Sequence, residues 1–274
     1  MLVNRVTSFN NKYAISENPP SFGSLDVSFH NYIDDNGIQH ETQTSTGIRG
    51  DIRLEDFVDT TELRFWGVKT VNIIPMSVSD GTEAYAFANA IIRREGLEKF
   101  KRKYRVIASD VVPSVINNYA QKGLLYLEDK EKRIFKGLGI NALEEVKPEC
   151  ITRDGRRRYQ LSDEYRGLFE FHVEDMRKRI RNLEDEGNSI VIIRNSLKDN
   201  FPSEQIEHVI ISQLAKKMNG RSILITGKYD RKEKYIREIL KEDFVELTHN
   251  IWGLKKYGVI RNYLTKFALQ CMKI

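Results

Sequence analysis

Two kinds of patterning alternate along most of this chain. A short apolar run rich in β-branched residues at 71–77 reads as a buried strand, and 104–109 as a second. Segments 168–173, 189–193 and 221–226 read as further strands. Between and after them lie segments with apolar positions three and four apart, at 82–95, 113–121, 176–186, 203–218 and 231–240. That spacing is the mark of a helix packed on one side. The stretch 82–95 is rich in alanine and basic in its last turn, and Pro113 suits the first turn of a helix. Segments 244–247 and 251–254 predict a closing antiparallel pair, and 258–272 a last amphipathic helix. Strand–helix repetition predicts an α/β fold of the Rossmann-like kind. Its sheet is mainly parallel, with helices on both faces and an antiparallel terminal strand.

Two regions break the alternation. Residues 1–41 carry Pro19-Pro20 and many Asn and Ser, and read as an N-terminal arm with one short strand. Residues 42–50 read as a small polar loop, and 51–65 as a short helix with a connection. Residues 123–168 read as an insertion, a helical piece and then a small hairpin. Its turn is Asp154-Gly155, flanked by 150–152 and 156–159. The expected organisation is therefore an arm, 1–41, and one domain, 42–274, carrying that insertion.

Composition adds limits more than identity. With 274 residues, 40% hydrophobic and 30% charged, the chain can bury a sizeable core. Lys and Arg number 44 against 39 Asp and Glu, a net +5. This permits an acidic partner without demanding one. Cys150 and Cys271 are too few for a disulfide scaffold or a cysteine-built zinc cluster. No stretch has the length and hydropathy of a membrane helix, and the first residues lack a signal-peptide core. A cytoplasmic protein without membrane insertion or a metal site is expected.

In open α/β sheets ligands sit outside the carboxyl ends of the strands, so the residues just after each strand carry the interest. After the first strand comes Ser77-Val78-Ser79-Asp80-Gly81-Thr82-Glu83, a small turn that opens a helix and lets backbone N–H groups approach a ligand. It is not the G-x-G-x-x-G fingerprint, and alone it reads as an ordinary capped turn. After the second strand, Asp110 is placed either to accept from ribose hydroxyls or to cap the Pro113 helix. Asp175 and Met176 follow the third strand. Either they meet an adenine amino group and ring face, or they cap and pack the next helix. Asn195 and Ser196 follow the fourth strand, as cleft-facing polar groups or as turn residues. Together these suit a nucleoside-containing cofactor.

The run VNIIPMSVSDGTEAYAFANAI resembles the strand–turn–helix of the bacterial chemoreceptor glutamate methyltransferases (CheR), whose turn reads S-T-G-E-E-P-Y-S. YRVIASD resembles that family's second strand and its ribose-binding acid, FEFHVEDM its F-x-x-x-N-L segment, and IVIIRNSLKDNF its C-R-N-V-x-I-Y-F segment. SILITGKYD is similar to the strand that follows in the family, G-x-L-x-x-G-x-S-E. Upstream, QTSTGIR resembles the N-x-T-x-F-F-R loop over the cofactor. The segments are collinear from about residue 42 to 255.

The resemblance implies a class I fold that binds S-adenosylmethionine (SAM), with S-adenosylhomocysteine as product. It puts Gln43, Ser45, Arg49, Ser77, Gly81, Glu83, Asp110, Asp175, Met176, Asn195 and Ser196 at the cofactor. Arg49 also orients an incoming carboxylate at the methyl end. The implied activity is O-methylation of a carboxylate, as on a protein glutamate. The rivals are a small-molecule acceptor and a non-catalytic SAM-binding or interaction module. Nucleic-acid binding is the weakest reading, since no aromatic-interleaved basic motif occurs along the sequence.

This chain departs from the family on the acceptor side. Thr82-Glu83-Ala84 replaces E-E-P, Gly47-Ile48 replaces the aromatic pair, and the family's I-Y-F tyrosine falls on Asp199 or near Asn200. The family's N-terminal helical domain has no counterpart in residues 1–41. In the insertion, Arg153, Arg156, Arg157 and Arg158 offer an acidic partner a contact, or form a solvated hairpin tip.

Overall fold

The fold is seen in a computed structural model. It describes residues 27–33, 39–45, 54–127, 135, 143–145, 157–194, 196–197, 204–227 and 234–272. A hairpin of β1 (Val27–Ile33) and β2 (Gln39–Ser45) comes first, with Val27 opposite Ser45 and Ile33 opposite Gln39. The helix α1 (Leu54–Arg64) leads into β3 (Val71–Met76), α2 (Thr82–Glu95), α3 (Leu97–Lys103) and β4 (Tyr104–Asp110). A short α4 (Pro113–Val115) runs into a π turn at Ile116–Ala120. Strands β5 (Leu124–Leu127), β6 (Leu143–Glu145) and β7 (Arg157–Leu161) follow, then α5 (Asp163–Arg166) and β8 (Phe169–Val173). The chain continues through α6 (Met176–Arg181), β9 (Ser189–Ile193), α7 (Glu204–Lys217) and β10 (Ile223–Thr226). It closes with α8 (Lys234–Asp243), β11 (Phe244–Thr248), β12 (Ile251–Leu254) and α9 (Val259–Cys271).

Seven strands form the central sheet in the order β11-β12-β10-β9-β3-β4-β8. Numbered by their sequence within the sheet, that is 6-7-5-4-1-2-3. The pairs β3–β4, β3–β9, β4–β8 and β9–β10 are parallel, and β12 runs antiparallel to both β10 and β11. This is the mainly parallel sheet with an antiparallel terminal strand that the class I methyltransferase fold requires. The pleat sorts the central strands between two cores. Ile73, Ile190, Ile192, Ile223 and Ile225 join one cluster, with Phe57, Phe87, Phe100 and Tyr165. Their neighbours Ile74, Val191, Ile193 and Leu224 join the other, with Ile211, Leu214 and Trp252. All six residues of β3 and all five of β9 are buried. Each Val, Ile or Met side chain among them contributes about 1.5–3 kcal/mol on leaving water.

Three expectations change. Residues 42–45 lie in β2 rather than in a loop, so the 41/42 boundary cuts a strand. The helix α3 was not foreseen; it is a separate seven-residue piece because Gly96 (φ 87°) breaks the run. In the insertion β7 pairs with β5 on one side and β6 on the other, making a three-stranded sheet. The antiparallel neighbours of β7 are Leu124–Leu127 and Leu143–Glu145; residues 150–152, Arg153, Asp154, Gly155 and Arg156 lie outside the described residues. Arg157 and Arg158 lie on β7 itself.

Candidate functional site

The chain leaves β3 for β4 on one side and β9 is its neighbour on the other, so the strand order reverses at β3. Crevices open at the carboxyl ends of strands at such a point. The turn from β3 into α2 is left-handed at alternate positions: Ser77 (φ 57°), Ser79 (φ 54°) and Gly81 (φ 82°). Non-glycine residues adopt this conformation rarely, and two within three residues mark an over-determined turn. Its own hydrogen bonds determine it. The Val78 N–H donates to the Ser109 carbonyl (3.2 Å), and the Gly81 N–H to the Val78 carbonyl (2.9 Å). The Thr82 N–H donates to Asp80 Oδ1 (3.0 Å) and the Ser79 N–H to Asp110 Oδ2 (2.9 Å). Two of these donors, Gly81 and Thr82, are spent within the turn, and two, Val78 and Ser79, tie it to the end of β4. These four N–H groups are engaged by the protein itself, and the turn's left-handed backbone is fixed by them.

Asp110 ends β4, buried, directly beside that turn. Oδ2 takes the Ser79 N–H and Oδ1 takes the Val112 N–H (3.0 Å). Val112, not Asp110, occupies the cap position of α4, and no side chain caps it. The helix-capping alternative therefore does not hold. The carboxylate instead welds the ends of the two strands together. Charge-assisted bonds to two backbone donors fix its plane at the rim of the crevice.

Glu83, in the first turn of α2, receives a 2.6 Å hydrogen bond from Arg194 Nη1. Arg194 is itself buried, and its guanidinium lies 5.8 Å from the Phe87 ring centroid. The pair bridges α2 to the residue that follows β9. A small recess between β3 and β9 is lined by Pro75, Met76, Ser77, Val78, Glu83, Ala84, Phe87, Ile192 and Arg194. Neither Arg194 nor Phe87 was singled out as a site residue. The signal was present: an arginine ending the apolar run Ile190–Ile193 has to find a carboxylate if it stays buried.

Beyond β8 the outcome differs. Asp175 caps α6, its Oδ1 accepting from the Arg177 N–H (2.7 Å), and both carboxylate oxygens are gripped by the Arg177 guanidinium at 2.9 and 2.7 Å. Partial burial raises its pKa, but the Arg177 bonds outweigh this and leave it below the ordinary value. Met176 is buried in the aliphatic core with Ile74, Met76 and Ile180. The structure thus gives Asp175 a capping role and Met176 a packing role. Ser196 is buried and its hydroxyl donates to the Arg194 carbonyl (3.2 Å), a turn contact. Gln43 and Ser45 fall on β2. Arg49 and Asn195 lie outside the described residues.

Tyr85 holds the turn from behind. Its hydroxyl donates to the Ala120 carbonyl (2.7 Å), and burial pushes its pKa far up, so it is a structural donor. A Cβ on Gly81 would stand 3.1 Å from the Ala120 Cβ and 3.3 Å from the Tyr85 ring. The glycine is needed for φ and for space alike. Among the described residues no group of His, Cys, Asp and Glu is arranged to hold a metal ion, and no helix is long and apolar enough to cross a membrane.

No family model matches the chain, and no curated protein matches it in sequence. Among solved structures it is similar to the ribosomal protein L11 methylase of Lactobacillus delbrueckii subsp. bulgaricus, at 13% identity and TM-score 0.33, over 72% of this chain and 74% of that one. It is also similar to a protein of Streptococcus mutans described as a SAM-dependent methyltransferase, at 11% identity and TM-score 0.38. That match covers 86% of this chain and 53% of that one, about half its length. The strand order, not these distant likenesses, carries the fold.

Proposed function

We propose that the chain is a SAM-dependent methyltransferase of CheR type, using the crevice at the carboxyl ends of β3, β4 and β9, with a carboxylate as methyl acceptor. The observation that carries the cofactor site is the weld between Ser79 and Asp110 (2.9 Å). It presents a buried, rigidly oriented carboxylate next to a backbone turn stripped of bulk, the pairing a ribose diol and its adjoining chain need. The residues present fit such a cofactor on the ribose side: Asp110 accepts from the hydroxyls, and Ser77, Ser79 and Gly81 let the chain pass close. When bound, SAM supplies an electrophilic methyl group on a sulfonium. Glu83 and Arg194 hold α2 to the β9 end, so the two walls of the crevice keep their spacing. Phe87 and Ile192 keep water from that wall. An acceptor carboxylate is ionised near pH 7 and needs no general base, so the chain's task is alignment and exclusion of water. The carboxylate acceptor rests on the collinear order of motifs from 42 to 255, and Arg49 is the residue given the task of orienting it.

Calorimetric titration with SAM and S-adenosylhomocysteine tests the cofactor site. Saturable binding of both is expected, lost in Asp110→Ala. Heat from neither ligand, with the native chain folded, overturns the reading. Radiolabelled methyl transfer to lysate protein, released as methanol by alkali, is the outcome expected for a carboxyl ester. Alkali-stable label would replace the acceptor but leave the cofactor site standing.

A further inference from the structure

The end of the sheet opposite the crevice carries a surface of a different character. Three segments separated in sequence meet there: 66–70 before β3, 216–222 before β10, and 255–258 after the antiparallel β12. Contacts tie them into one patch. Arg221 Nη1 donates to the Trp66 carbonyl (2.7 Å), Lys256 Nζ to the Lys216 carbonyl (3.2 Å), and the Tyr257 ring stands 3.0 Å from where a Cβ on Gly220 would be.

The segments hold Lys69, Lys216, Lys217, Arg221, Lys255 and Lys256 and not one Asp or Glu. Lys217 is paired with Glu184 (2.6 Å). The contacts given for Arg221, Lys255 and Lys256 go to neutral carbonyls, which hold the side chains in place without cancelling their charge. Two large aromatics sit among these cations. Trp66 is 76% exposed and Tyr257 50% exposed, with Lys256 Nζ 5.0 Å from the Tyr257 ring centroid. The indole of Trp66 stands in water, whereas that of Trp252 is wholly buried.

We propose that this face binds single-stranded nucleic acid, with bases stacking on Trp66 and Tyr257 and phosphates on Lys69, Arg221, Lys255 and Lys256. Cations accept the backbone of a strand, and exposed rings accept its unpaired bases; neither alone selects a strand, but the two together do. An acidic protein segment would use the cations and leave the indole idle. The patch lies about 20 Å from the crevice, the length of β3. It is therefore a docking surface and not the methyl-acceptor site, and it stands or falls independently of the methyltransferase reading.

Tryptophan emission tests this directly. The chain has two tryptophans, and Trp252 is buried, so quenching by a ligand at the surface reports Trp66. Titration of the full chain with short oligothymidylate and oligouridylate is expected to quench the emission. DNA and RNA are distinguished by which of the two binds tighter. Four phosphate contacts on a single strand imply that affinity falls about 50-fold between about 50 and about 200 mM salt. Trp66→Ala, at an exposed position that leaves folding intact, should weaken binding about 5- to 150-fold by anisotropy. Lys255→Glu with Lys256→Glu should weaken it and flatten the salt dependence. Absence of quenching, equal affinity for duplex, or heparin competition with Trp66→Ala unchanged would each overturn the proposal. The last result would mark a charge-only surface for an acidic partner. SAM titration of Trp66→Ala should match the native chain, so failure here does not touch the crevice.

Discussion

Asp110 and Asp175 each follow a parallel strand, and they end in different work. Asp110 turns inward, across the sheet, and accepts backbone N–H groups from its own loop and from the turn after β3. Asp175 stays local, binding the N–H and guanidinium of Arg177 two residues on. The difference lies in what comes next. After Asp110 the chain needs two more residues before Pro113 begins a helix, so its carboxylate is released from capping. After Asp175 the helix starts at once, and the first available acid becomes its cap. A carboxylate at a strand end is thus available for a ligand only when the following helix does not claim it.

The largest effect should come from Asp110→Ala. Removing the acceptor of two backbone donors costs about 3 kcal/mol in urea unfolding, together with loss of measurable SAM binding. Asp110→Asn keeps one acceptor oxygen and should recover part of the stability but little of the affinity. Full affinity in either variant would erase the contrast between the two acids. Gly81→Ala comes next, at about 1–2 kcal/mol for a left-handed residue with a Cβ, and cofactor affinity should fall because the turn can no longer keep its shape. Asp175→Ala should lose only a helix cap, about 1 kcal/mol, with SAM titration unchanged; weakened binding there would restore the adenine role. Smallest is the acid dependence. The folded pKa of Asp175 lies below its ordinary 3.8. Its stabilisation is therefore complete above that value and lost as pH falls through the folded pKa. Native chain and Asp175→Ala should differ in stability at pH 6 by the cap energy and converge in strong acid, by urea titration at each pH.

Strands β3, β9 and β10 were legible because a strand buried on both faces has to be an apolar run; β8 and β11, with exposed or half-buried positions, were marked instead by aromatic and β-branched residues. Strand β2 was not, since Gln39–Ser45 holds no apolar residue to mark a face, and its pairing with β1 is a backbone matter. At the site, Asp110 was legible as the end of a strand and Gly81 as part of the turn that opens a helix, but the identity of their partners needed the register. Met176 reads equally well as ring support and as core, and only its packing with Ile74 and Met76 decides. The cationic–aromatic face could not be read along the chain at all. Its residues come from positions near 66, 220 and 256, and each segment alone is an ordinary solvated turn.

The pairing of β3 with β9 sets Asn72 opposite Ser189. While this chain is being synthesised, β3 leaves the ribosome long before its central neighbour exists. Until then one edge of this largely apolar strand has no ladder partner, and the inserted strands β5–β7 must emerge and fold aside in the interval. The β3–β9 contact is the one that makes the crevice wall, with Glu83 on one side and Arg194 on the other. A nascent chain therefore acquires that wall only after residue 194 is out of the tunnel. The wall therefore stands while β10, β11 and β12 have yet to join the sheet on the far side of β9.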